Sequence, residues 1–149
     1  MKKLFVMFVA LFMAATVFAQ NAKSTGLTDK DVQNFAKHYN SINEDMEKAL
    51  GSTENQSYLS VKADYLKAEK ILAKYGFTGE NTVEKYAMIV CCVSVLAVEK
   101  SGVLEMYKAM GMEGMDPVAA QRAYINQKDY EVVERNWAAV AKAIDYEGM

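Results

Sequence analysis

Histidine and proline each occur once in this chain of 149 residues and cysteine only twice, and each scarcity removes a class of chemistry or of fold. His38 has no second histidine and no cysteine at ligand spacing, so no histidine-built metal site is expected and catalysis through it is disfavoured. A surface or half-buried polar role is what remains for it. The chain also lacks Gly-x-Ser-x-Gly, His-Glu-x-x-His and a glycine-rich phosphate loop following a strand. Acidic residues are plentiful, yet none of the apolar stripes described below carries a carboxylate pair facing inward. The expectation is therefore a protein with no catalytic residues and no cofactor. No basic run breaks the mixed charge, which argues against nucleic acid and anionic lipid as partners.

The two cysteines, Cys91 and Cys92, are neighbours. Adjacent residues have Cα atoms about 3.8 Å apart. That is short of the roughly 4.4–6.8 Å usual for a disulfide, and a helix turns the two side chains apart. Both read as small apolar fillers of a buried helix. A redox switch or an intermolecular bridge are the other uses open to them.

What the chain does contain begins at its N-terminus. Lys2 and Lys3, an apolar run from Leu4 through Met13, and Val17-Phe18-Ala19 before Gln20 make up the three zones of a cleavable secretory signal over 1–19. The run is shorter than the ~20 residues a membrane span needs, and Gln20, Asn21 and Lys23 turn the chain polar at once, so no stable membrane insertion is expected after cleavage. No cysteine follows the run, which disfavours a lipid anchor. The short, Lys-Lys-led form is bacterial in style and points to the periplasm or the extracellular space. Cleavage removes two of the 17 basic residues and none of the 19 acidic ones, moving the net charge from −2 to −4. The remaining ~130 residues suit one domain, long enough to bury a core without disulfides.

Residues 20–26 are small and polar and read as a flexible leader; 27–149 read as a single all-helical domain. Thr28 is the predicted cap of a first helix, with Asp31 in the reciprocal capping-box position. Behind it Val32, Phe35, Tyr39, Ile42, Met46 and Ala49 alternate by three and four, one apolar stripe on a helix. Gly51 and the polar stretch from Ser52 to Ser57 end it. Tyr58, Val61, Tyr65, Ala68, Leu72 and Tyr75 repeat the pattern, and Gly76 stands where a left-handed C-terminal cap belongs. Asn81 and Glu84 suggest a second capping box. From Tyr86 to Val98 the chain is apolar almost all round, and its length together with the cap ahead of it favours a central helix over a buried strand. Val103 to Met110 predicts a short helix stopped by Gly111. Asp116-Pro117 predicts the start of another, running to about Ile125. After a break at Asn126 to Asp129, a last helix is expected to carry Tyr130, Val133, Trp137, Val140 and Ile144. The fold class is thus all-α: a compact bundle of four main helices plus one or two short ones, around a central apolar helix at about 83–100.

Leu27-Thr28, at the mouth of the first helix, resembles the start of the Leu-Thr-x-x-Gln motif of small periplasmic chaperones of the Spy and CpxP type. Asp31 stands where that motif has Gln, and no second copy follows. Those chaperones are also basic, proline-tolerant cradles, unlike this acidic chain. The likeness covers one helical turn and assigns no family.

One local bias stands out. Met106, Met110, Met112 and Met115 fall within ten residues, whereas the rest of the expected mature chain has only Met46, Met88 and Met149. Methionine is a flexible filler of cores and also a common residue of adaptable apolar surfaces. Its thioether is besides a soft ligand that suits Cu(I) and needs no deprotonation. These four residues are therefore candidates for core or lid packing, for a surface that takes a protein partner or an apolar small molecule, or for a soft-metal site. The functional expectation is an exported, non-catalytic helical binding module, with a periplasmic Cu(I) binder as the alternative.

Overall fold

Helices account for every regular element among the described residues, and no strand occurs there. The computed structural model describes residues 23–50 and 61–147, with side chains in the second stretch from residue 64 onward. The expected signal over 1–19, Gly51, the loop from Ser52 to Ser57, Tyr58 and Met149 lie outside the described residues. The helices are α1 (Asp29–Leu50), α2 (Val61–Lys74), α3 (Thr82–Lys100), α4 (Val103–Ala109), α5 (Ala119–Arg122), α6 (Gln127–Arg135) and α7 (Trp137–Ala143).

The start of α1 is set by local chemistry. The Thr28 amide and hydroxyl donate to Asp31 Oδ2 at 2.9 and 2.7 Å, and the Asp31 amide donates back to Thr28 Oγ1 at 3.3 Å. This is a reciprocal capping box with aspartate in the place glutamate usually takes. The stripe behind it is buried at Val32, Phe35, Tyr39, Ile42 and Met46. Helix α2 ends in a full left-handed stop. The Phe77 amide donates to Leu72 O at 3.2 Å and the Gly76 amide to Ala73 O at 3.3 Å. Gly76 takes φ +86°, a value that favours glycine. Phe77 is thereby delivered into the core, against Tyr86 with ring centroids 6.2 Å apart. Asn34 Nδ2 donates to Gly76 O at 3.1 Å and fastens this turn to α1.

Helix α3 is the centre of the molecule, as its composition predicts. Every residue from Ile89 to Leu96 is buried, and the helix packs against α1, α2, α4, α5 and α6. A helix apolar on most faces has to be enclosed in this way. The hydroxyl of Ser94, inside this run, is satisfied by Val90 O at 2.9 Å. Cys91 and Cys92 are buried and free.

Three boundary expectations are corrected. Asn81 does not form a capping box: it adopts φ 59°, ψ 36° and its side chain makes no cap bond. Glu84 instead accepts from Tyr65 Oη at 2.9 and 3.0 Å, a partner on α2. The helix begun at Asp116-Pro117 is shorter than expected. Asp116 Oδ1 accepts from the Val118 amide at 3.0 Å, but only Ala119–Arg122 is α-helical. Finally, the last helix starts early and breaks in the middle. Asn126 caps α6 by accepting the Lys128 amide at 3.0 Å. At Asn136 the side chain donates to Val132 O at 2.8 Å and to Asp29 Oδ1 at 2.6 Å, and the chain divides into α6 and α7.

Candidate functional site

Ser101 Oγ donates to Val98 O at 2.8 Å, and Gly102, at φ +74°, turns the chain out of the central helix. Helix α4 then leaves at 49° to α3. Val103, Leu104 and Tyr107 are half-buried, and no residue of α4 is buried. The helix ends in a second full left-handed stop. The Met112 amide donates to Tyr107 O at 3.0 Å, the Gly111 amide to Lys108 O at 3.0 Å, and Gly111 takes φ +71°. A tight turn follows at once, with the Met115 amide on Met112 O at 3.1 Å and Gly114 at φ +96°.

All four methionines of the segment face solvent: Met106 is 47 % exposed, Met110 55 %, Met112 38 % and Met115 58 %. Leu66 is the other large apolar side chain this open among the described residues. By contrast Met46, on α1, is 4 % exposed and belongs to the core. The core-packing use open to the four candidates on sequence is therefore not the one the fold adopts. Their backbone is nonetheless held by hydrogen bonds at each step, so the apolar surface is presented on an ordered frame. Leaving these side chains in water forgoes burial worth roughly 25 cal/mol per Å² of apolar surface.

A polar brace anchors the C-terminal side of the segment. Arg122 Nε donates to Asp116 Oδ2 at 3.0 Å, and Arg122 Nη1 reaches Glu99 at the end of α3. Tyr130 Oη donates to the other oxygen of Glu99. Partial desolvation works against ionisation of Asp116, but the Val118 amide and Arg122 outweigh it and lower its pKa. Burial first, and then the Glu99 carboxylate, push the Tyr130 phenol well above its ordinary value. Sequence reasoning caught Asp116 as a helix-start signal. It had no means of finding Glu99, Arg122 and Tyr130, which are dispersed in the chain.

Two carboxylates are buried, which their sequence positions do not announce. Asp31 forms the α1 cap and faces Lys85 Nζ at 3.5 Å. Asp129 is 1 % exposed and accepts from Ser24 Oγ at 2.8 Å, the Thr25 amide at 2.8 Å and Thr25 Oγ1 at 3.1 Å. Each is engaged by structural donors. Ser24 and Thr25, within the stretch expected as a flexible leader, are thus hydrogen-bonded to α6. His38 is half-buried beside Tyr75, ring centroids 5.2 Å apart, and Tyr75 Oη donates to Asp45 at 2.9 Å. Among the described residues no group of three His, Cys, Asp or Glu side chains is placed to hold a metal, and no single helix is long and apolar enough to cross a membrane. Comparison with protein-family models, with curated proteins and with solved structures gives no match.

Proposed function

We propose that the protein is an exported bacterial helical module, freed from a signal over 1–19, that binds apolar surfaces through Met106, Met110, Met112 and Met115 without catalysing a reaction. The observation that carries the reading is the exposure of all four side chains, 38–58 %, along α4, which buries no residue, and the two turns that follow it. Unbranched thioether side chains re-pack against differently shaped partners at little cost, so such a surface suits an apolar patch on another protein or an apolar small molecule. The test uses an amphiphilic fluorophore whose emission rises on apolar contact. The wild type should bind it, and a variant with all four methionines replaced by serine should not. Because surface replacements cost within about 0.5 kcal/mol each, the serine variant should keep its helical circular dichroism and melt cooperatively. A variant that fails to fold would assign the four side chains to the core and end the proposal.

A further inference from the structure

The four methionines are linked through the main chain as well as grouped in sequence. The Met110 amide donates to Met106 O at 3.1 Å, the Met112 amide to Tyr107 O at 3.0 Å, and the Met115 amide to Met112 O at 3.1 Å. Met106 and Met110 are four residues apart, which places their Cβ atoms about 5–6 Å from one another on one helix face. The stop at Gly111 ties Met112 to the same last turn, and the following turn ties Met115 to Met112. With three rotatable bonds each, side chains rooted this closely can converge on one small ion.

We propose that Met106, Met110, Met112 and Met115 form a binding site for a single cuprous ion. The proposal rests on the reading of this segment as a binding surface and names a ligand for it. Uncharged thioethers are soft donors that favour Cu(I) over zinc, magnesium or calcium, and they bind without releasing a proton. All four side chains are open to solvent, so coordination requires no core contact to break. The lysine within the segment, Lys108, pairs with Glu105 at 2.9 Å on the exposed face of α4. The two cysteine thiols compete poorly. Cys91 and Cys92 are buried, and burial pushes the Cys91 thiol up to about 11, which disfavours the thiolate a metal needs.

The experiment supplies Cu(I) under ascorbate to the full chain and measures its withdrawal from a chromogenic chelator of micromolar affinity. Wild type should withdraw one equivalent, and so should a Cys91→Ala, Cys92→Ala double variant. A quadruple Met→Leu variant, which keeps the apolar surface and removes the sulfur, should withdraw none. It should still bind the amphiphilic fluorophore. Failure of the wild type to compete, retention of copper by the leucine variant, or loss of copper in the cysteine variant would each overturn the site. A wild type that takes no copper but binds the fluorophore defeats this proposal alone. Loss of both defeats the binding surface as well.

Discussion

Cys91 and Cys92 show how far a residue's surroundings decide its chemistry. They sit in the fully enclosed stretch of α3, and burial raises both thiols above their ordinary value of 9.0, Cys91 to about 11. Asp129, buried on α6, adds to the effect on Cys92. Neither thiol should react with an aromatic disulfide reagent at pH 8 in the native protein, and both should react once denaturant opens the core. Fast native reaction of either would mean that α3 is not enclosed. The sign of the linkage follows from the raised values. The neutral thiols contribute fully below the unfolded value of 9.0, and that contribution is lost as the pH rises through about 11 for Cys91. Methionine behaves in the opposite way. Met46 and Met110 are chemically identical, yet one is in the core and the other is 55 % exposed. Nothing in the composition distinguishes them, which is why core packing stays open for the four candidates until their exposure in the fold sets it aside.

At the scale of the helix, the signals that were legible are those that act within one turn. The Thr28–Asp31 box and the glycine stops at Gly76 and Gly111 use only groups a few residues apart in the chain, so the residues that make them also announce them. Gly76 gives a quantitative test of such a stop. A Cβ there would lie 2.8 Å from Asn34 Nδ2, besides the strain of φ +86°. Gly79, at φ +89°, carries similar strain with open space around it. Gly76→Ala should therefore destabilise by more than the ~1–2 kcal/mol expected of the left-handed backbone alone, and Gly79→Ala by about that amount. Urea melts of the two variants check the order; equal losses would show that Asn34 yields freely. The signals that failed depend on partners far along the chain. Glu84 was read as half of a capping box, but Tyr65 on α2 takes it. The break between α6 and α7 was missed because Asn136 is held there by Asp29, 107 positions away. No window of local periodicity contains that pair.

Over the whole molecule, the two ends of the described chain close on each other. Helix α1 packs along α7, and its first residue is gripped from the hinge between α6 and α7. Arg135 Nε and Nη2 donate to the two oxygens of Asp29 at 2.7 and 2.8 Å, and Asn136 Nδ2 adds a third bond at 2.6 Å. A few residues earlier, Ser24 and Thr25 are hydrogen-bonded to Asp129 on α6. Such pairings across more than 100 positions close a long loop, and the contacts must offset the entropy of closing it. Asp29 makes the closure sensitive to acid. The Arg135 guanidinium, followed by the Asn136 amide, lowers its carboxyl from 3.8 to about 2. A depressed carboxyl stabilises the fold above its unfolded value of 3.8, and that share disappears as the pH falls through about 2. Asp29→Asn, nearly isosteric and neutral, should accordingly melt below the wild type at pH 6, with the gap closing between pH 4 and 2. The carboxylate is exposed, so the gap at pH 6 should be modest and should narrow further in 1 M salt, where screening acts within roughly 3 Å. A gap that persists unchanged at pH 2 would show that the asparagine disturbs the hinge itself, and that the charge of Asp29 does not hold the two ends together.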